Sequence, residues 1–151
     1  MEESIRHVRR LSQHYAYHSL QMHEAVGRKA GLPGTDHKYL GFLITKGAMT
    51  AGELATLTGL TTGAVTGLID RLEKKKLVKR QFADNDRRKV FIEPNTENIM
   101  ALLEPLYKEF RSNTEKLMAT FSHKELKVLE TYFTKAIELM TDATNKLNKT
   151  S

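Results

Sequence analysis

The chain has 151 residues, of which 40% are hydrophobic and 28% charged, and its formal net charge is +6. This length corresponds to about one domain and is enough to bury a sizeable core. The lack of cysteine excludes disulfides, thiolate metal sites and thiol redox sensors, while the basic excess favours a polyanionic partner.

The positive charge is concentrated in the middle of the chain. Residues 70–89 contain nine Lys or Arg against four Asp or Glu, which nearly accounts for the net charge of the whole protein. No apolar run reaches the ~18 residues that a membrane span needs, and the first residues contain acids without an apolar signal segment. We therefore expect a cytoplasmic protein with no membrane partner.

The first two helices are predicted from their apolar spacing and their end signals. Residues 2–30 contain no Pro and almost no Gly, which indicates one long helix. Thr35 or Asp36 can cap a second helix. The apolar face of this second helix is expected to carry Tyr39, Leu40, Leu43 and Ile44.

A third, short helix begins at a capping box. Thr50 is followed three residues later by Glu53, so that the hydroxyl and the carboxylate can each accept a backbone hydrogen bond. Leu54 and Leu57 are expected on the buried side of this helix. Gly59 suits the left-handed turn that ends it, because glycine adopts a positive φ at little cost.

The fourth helix completes a helix-turn-helix over residues 50–75. Thr61 is its N-cap, and the spacing i, i+3, i+4, i+7 predicts a buried face of Val65, Leu68, Ile69 and Leu72. The opposite face is small, hydroxylated or charged and carries Thr62, Gly63, Thr66, Gly67, Asp70, Arg71 and Lys74. Such a helix can enter the major groove of DNA. A helical hairpin without a ligand is the alternative interpretation.

A β-hairpin with a basic tip is predicted directly after this helix. Two β-prone runs, 77–82 and 89–93, flank the turn-forming residues 83–88. A hairpin in this position is the wing of a winged helix, and its arginines can reach a narrow minor groove or the flanking phosphates. The wing would span 77–93 within a winged helix-turn-helix of residues 35–93. An exposed loop that is charged for solubility is the alternative.

The chain is predicted to be helical over residues 98–147. Ser122 and Glu125 form a second capping box, which begins the last helix. Apolar residues of that helix recur at alternating steps of three and four, as in an a/d seam. The dimerisation contacts predicted from this seam are Leu126, Leu129, Phe133, Met140 and Leu147. We expect the first helix and the last two to build a two-fold homodimer, with a monomer that buries them internally as the alternative.

The order of these elements resembles the MarR family of bacterial transcription regulators over nearly the whole chain. The family's wing commonly has Asp-x-Arg followed by a small residue. Asp86, Arg87 and Arg88 match the first three positions, and Lys89 departs from the fourth. The resemblance implies a mainly α fold, in which a winged helix-turn-helix with a two-stranded wing joins a helical dimerisation region built from both termini.

The resemblance also implies a function and a role for individual residues. It implies a homodimeric repressor that binds a pseudo-palindromic operator at the nucleoid and is released by a small-molecule effector. By position, Arg88 matches the minor-groove arginine and Asp86 the carboxylate that holds it. The groove-facing start of the recognition helix is matched by Thr61, Thr62, Gly63 and Thr66. The phosphate contacts are expected from Arg71, Lys74, Arg87 and Lys89.

Two alternatives stay open for the polar and aromatic residues of the first two helices. A pocket for a phenolic or other small aromatic effector would be lined by His14, Tyr15, His18, His37 and Phe42, although the same residues would also serve as packing between helices. His14 and His18 have the i, i+4 spacing that can place two imidazoles on one ion, as in a metal-responsive regulator. Because cysteine and an HExxH motif are both missing, we expect neither a metal nor a cofactor.

The remaining alternatives are an enzyme and a less specific binding module. An enzyme would need a nucleophile with its base, a carboxylate pair, a phosphate-binding glycine loop or a metal centre, and the sequence offers none. A protein-interaction module would leave the charge of residues 70–89 unexplained, and a non-specific DNA binder would bind all sequences equally. We predict a sequence-specific DNA-binding regulator whose partners are double-stranded DNA and a second copy of itself.

Overall fold

The computed structural model describes residues 1–32 and 34–149, apart from the side chain of Arg87. Contacts between Cα atoms divide the chain into two units, Met1–Tyr107 and Lys108–Ser151. Among the described residues, no helix combines the length and the hydropathy that a membrane span requires. The helices and strands are α1 (Glu2–Lys29), α2 (Asp36–Lys46), β1 (Met49–Thr50), α3 (Ala51–Thr58), α4 (Thr62–Lys74), β2 (Val78–Ala83), β3 (Asp86–Pro94), α5 (Thr96–Met118) and α6 (His123–Lys149).

The core of the first unit lies beneath the helix-turn-helix. The predicted buried face of α4 is confirmed, since each of its four residues is at most 2% exposed: Val65, Leu68, Ile69 and Leu72. Leu40, Leu43 and Leu54 complete the centre of this core. These residues fix α4 on α2 and α3 and leave its polar side outward.

One prediction of burial is wrong. Leu57 of α3 is exposed, and Ile44, on the predicted apolar face of α2, is exposed as well. The helix α3 meets the core along Ala51, Leu54 and Ala55, so that Leu57 lies at the edge of the buried side. Apolar spacing alone did not predict how narrow this contact is.

The helix-turn-helix begins and turns as predicted. Glu53 N–H donates to the Thr50 hydroxyl over 3.1 Å, and Thr50 N–H donates to the Glu53 carboxylate over 2.9 Å, which confirms the capping box. Gly59 has φ 71° in the left-handed region that favours glycine. The Thr61 hydroxyl accepts from Ala64 N–H over 3.2 Å and caps α4.

The wing is a hairpin within a three-stranded antiparallel sheet of order β1-β3-β2. The sequence did not predict β1, whose residues Met49 and Thr50 pair with Ile92 and Phe91. The predicted turn over 83–88 is too long, because Ala83 pairs with Asp86 and only two residues lie between the strands. Arg88 therefore lies in β3 and not in the turn.

The second unit contains the end of α5 and the helix α6. The capping box at the start of α6 is confirmed. Ser122 N–H donates to the Glu125 carboxylate over 2.7 Å, and Glu125 N–H donates to the Ser122 hydroxyl over 3.4 Å. The Ser122 hydroxyl also donates to the Glu125 carboxylate over 2.7 Å. This bond, and then the bond from Ser122 N–H, lower the pKa of the Glu125 carboxyl. None of the described residues of α6 is fully buried within the single chain. Its predicted seam is therefore half-buried at Leu126 and Leu129 and exposed at Phe133, Met140 and Leu147.

Candidate nucleic-acid interface

The first turn of α4 presents small polar groups to solvent. Thr61, Thr62, Gly63 and Thr66 are all exposed, and the Thr66 hydroxyl donates to the Thr62 carbonyl over 3.0 Å. A Cβ added at Gly63 would meet no atom within 4 Å. The free protein thus has room for a larger residue at Gly63.

A bidentate ion pair fastens α4 to α2. Arg71 Nε and Nη2 donate to the two carboxylate oxygens of Asp36 over 2.8 and 2.9 Å. The Asp36 side chain is 5% exposed and that of Arg71 is 49% exposed. The hydrogen bonds to Asp36 raise the pKa of Arg71.

This ion pair changes the prediction for the start of α2. Thr35 is the N-cap residue, but its side chain makes no capping hydrogen bond. The carboxylate of Asp36 is turned towards Arg71 instead of the helix N-terminus. The prediction that the side chain of Thr35 or Asp36 caps α2 is therefore wrong. The Asp36 carboxylate binds Arg71, which is distant in the sequence.

A second arginine, which the sequence analysis missed, ties the wing to α4. Arg80 of β2 donates through Nη2 to Asp70 over 2.6 Å and through Nη1 to Glu73 over 2.8 Å. Its backbone N–H also donates to Glu73 over 3.1 Å. The hydrogen bond to Asp70 is the main cause that raises the pKa of Arg80. Both acids on this side of α4 are thereby paired, which reduces their repulsion of a nearby polyanion.

The tip of the wing carries an arginine held by a carboxylate. The Asp86 side chain accepts from Arg88 N–H over 3.0 Å and from Arg88 Nε over 3.3 Å. The Arg88 side chain is 93% exposed, and Lys74 and Lys89 are exposed as well. The side chain of Arg87 lies outside the described part of the structure. Contacts of these residues with DNA stay predictions.

The residues predicted to line an effector pocket separate into three groups. His37 has ring contacts with His23 and Tyr107, and Phe42 has a ring contact with Tyr39. The other three are exposed on α1, namely His14, Tyr15 and His18. Within residues 1–32 and 34–149, no hydrogen bond or ring contact joins these groups to one another, and the effector pocket stays a prediction.

A cluster of two histidines and a tyrosine joins α1, α2 and α5. Tyr107 Oη lies 2.6 Å from His23 Nδ1 and 3.1 Å from His37 Nε2. Burial, and then the charge on His23, lower the pKa of His37, and burial raises the pKa of Tyr107. A Cβ added at Gly27 would lie 3.1 Å from the His37 Cβ, so glycine allows the two helices to approach. In the part of the chain that the structure describes, no group of three or more His, Cys, Asp or Glu could hold a metal ion.

Comparison with known proteins extends these observations. A MarR family profile matches residues 30–89. The HTH-type transcriptional regulator YcgE of Bacillus subtilis is 37% identical over 127 residues, which cover 84% of this chain and 82% of that protein. The relationship therefore includes the helix-turn-helix, the wing and most of the flanking helices.

Solved structures share the fold at lower identity. A MarR family protein of Bacillus stearothermophilus matches with a TM-score of 0.72 and 22% identity, over 93% of this chain and 98% of that one. MepR of S. aureus in its DNA complex matches with a TM-score of 0.57 and 22% identity, over 85% and 96% of the two chains. The sequence relationship and the shared fold agree, and the chain belongs to the MarR family of winged helix-turn-helix transcriptional regulators.

Proposed function

We propose that this regulator is a repressor that occupies a pseudo-palindromic operator as a homodimer. The observation that carries the proposal is the exposed first turn of α4 beside a wing whose Arg88 extends into solvent. The structural relative MepR has been solved with DNA, which supports DNA as the partner of this chain.

The proposed contacts follow from the chemistry of each exposed group. The first turn of α4 would enter the major groove with Thr61, Thr62, Gly63 and Thr66. Arg88, held by Asp86, would enter the narrow minor groove. Lys74, Arg87 and Lys89 would bind phosphates. Because Thr and Gly cannot make the bidentate guanine contact of an arginine, DNA shape should contribute much of the specificity.

The dimer is proposed from the apolar side chains that the single chain leaves uncovered. Phe133 and Met140 of α6 are 48% and 62% exposed, and Ile5 and Leu11 of α1 are also exposed. Exposed apolar side chains that recur along a helix in this way indicate an interaction site. A two-fold dimer would place its recognition helices in half-sites about 34–36 Å apart, or a multiple of that spacing.

The test compares the protein's own upstream DNA with a scrambled duplex, at near-physiological salt and at higher salt. A preference of ~10³ or more for the upstream DNA is expected of a specific reader. If binding is equal and salt-sensitive on the upstream DNA, the scrambled duplex and a pool of random duplexes, the chain is a non-specific module. Release by a small aromatic or phenolic effector stays a prediction, and a screen of such compounds against the bound complex tests it.

A further inference from the structure

The ion pair between Arg71 and Asp36 gives Arg71 a role different from that of its neighbours on α4. We propose that Arg71 is a positioning residue, which fixes the recognition helix on α2 through Asp36, and that it does not contact a phosphate. The proposal rests on the proposed DNA-binding function. It replaces the phosphate role that the resemblance implies for this residue.

The geometry of the guanidinium favours this role. Two of its nitrogens donate to both oxygens of one carboxylate, which is the strongest arrangement that an arginine and an acid can adopt. Its third nitrogen, Nη1, lies 3.4 Å from the position of a Cβ at Gly67, one turn earlier on α4. The guanidinium therefore lies back along its own helix, where Gly67 leaves space for it.

The burial of Asp36 makes the pair hard to break. Among the described residues of the first unit, Asp36 is the one charged residue that is buried, with 3% of its surface exposed. A buried carboxylate that loses its partner pays a large desolvation penalty, whereas a phosphate contact at an exposed site is screened by solvent and salt. A phosphate contact that required Arg71 to leave Asp36 would therefore exchange a strong interaction for a weaker one.

Lys74 supplies a matched control on the same helix. It is exposed, three residues after Arg71, and no salt bridge of Lys74 is found among the described residues. The logarithm of the association constant falls as the logarithm of the salt concentration rises. Loss of one phosphate contact makes this dependence less steep by about 0.9, and therefore by about 1.8 in a two-fold dimer. Loss of a positioning residue lowers affinity without changing the number of contacts, so the slope stays the same.

The experiment measures operator affinity over a range of salt for the full-length wild type and for Arg71→Gln, Arg71→Lys, Asp36→Asn and Lys74→Gln. We expect Arg71→Gln and Asp36→Asn each to weaken binding by about two- to thirty-fold with an unchanged slope. Arg71→Lys should be as weak as Arg71→Gln, because an ammonium keeps the charge but cannot form the bidentate pair. Lys74→Gln should reduce the slope.

A reduced slope in Arg71→Gln, or binding close to wild type in Arg71→Lys, would overturn the proposal. A second measurement does not depend on DNA: urea unfolding of the wild type, Arg71→Gln, Asp36→Asn and the double variant. We expect the double variant to be no less stable than either single one, and fully additive losses would also overturn the proposal. If the wild type shows no operator preference while the stability losses at Arg71 and Asp36 are coupled, only the proposed function is contradicted. The ion pair would then still hold α4 on α2.

Discussion

Arg80 of the wing and Asp70 of the recognition helix are joined by a 2.6 Å hydrogen bond. Because Arg80 also bonds Glu73, one side chain holds two acids of α4 against β2. We expect Arg80→Gln to lower the free energy of unfolding by about 1 kcal/mol, since two nearby carboxylates lose their common partner. Lys79→Gln, which removes a 3.5 Å exposed pair with Glu93, should change it by less than about 0.5 kcal/mol. Urea unfolding measures both free energies. Equal losses in Arg80→Gln and Lys79→Gln would contradict the stabilising role of Arg80.

The glycine at the start of the recognition helix is predicted to serve DNA binding rather than folding. Because a Cβ at Gly63 meets no atom within 4 Å, Gly63→Ala should stabilise the free protein by up to about 1 kcal/mol through helix propensity. The same methyl group should weaken operator binding, because it lies where the DNA would approach. Gly41→Ala in α2, which also has open space, should stabilise the protein and leave binding unchanged. If Gly63→Ala binds the operator as tightly as the wild type, the DNA does not approach this part of α4.

The wing arginine is predicted to read the shape of the minor groove. Arg88→Ala should weaken operator binding and flatten the preference for A·T-rich flanks, because a narrow minor groove attracts arginine. Lys89→Ala should lower affinity by a similar factor on all flanks, as expected of a phosphate contact. Titrations with duplexes that differ only in their flanks distinguish the two. Unchanged affinity in Arg88→Ala would exclude the wing from recognition.

The α6 seam is predicted to hold the dimer together. Leu129→Glu with Phe133→Glu introduces four carboxylates into a two-fold interface, where burial of unpaired charge is costly. We expect this variant to sediment as a monomer. The control, Thr134→Glu with Thr141→Glu, places the same charges at exposed threonines on the polar side of α6 and should remain dimeric. A stable dimer in the seam variant would show that the interface lies elsewhere.

The cluster around His37 predicts a loss of stability in mild acid. Burial and the neighbouring His23 lower the pKa of His37 from its ordinary value of 6.5, so the unfolded chain binds its proton more readily than the folded chain. The contribution of this group is therefore full above about pH 6.5 and decreases as pH falls through the lowered folded pKa. His37→Gln should reduce the difference in urea stability between pH 7.5 and pH 5, whereas His14→Gln, at an exposed site, should retain it. An unchanged difference in His37→Gln would contradict this assignment.

Local signals in the sequence were sufficient to predict most of the fold. The buried face of α4 and the capping boxes at Thr50 and Ser122 depend on residues within two turns of one another, and each was confirmed. The extent of β3 was not predicted, because Asp86 and Arg88 are polar and resemble a turn, and Asp86 pairs with Ala83 only through a shift in register.

The contacts that hold the candidate site together depend on distant parts of the chain. Arg71 and Asp36 are 35 residues apart, and Tyr107 is 70 residues from His37. Many acids in the sequence are equally plausible partners for an arginine, and only the packing of α4 on α2 selects Asp36. For the same reason, aromatic spacing along α1 and α2 did not predict the ring contacts of His37 with His23 and Tyr107.

The loop at the tip of the wing consists of two residues, Asp84 and Asn85. It can accept inserted residues but cannot itself lose one. Two residues are the usual minimum for a hairpin connection, whereas an exposed loop tip commonly tolerates insertions. A single deletion between the tip and Arg88 would fall in the irregular part of the hairpin, where the register shifts between Phe82 and Ala83, and would change how Arg88 is presented beside the paired strands. A longer wing can thus arise by simple insertion at the tip, whereas a deletion on the β3 side would first remove residues from the irregular part of the hairpin.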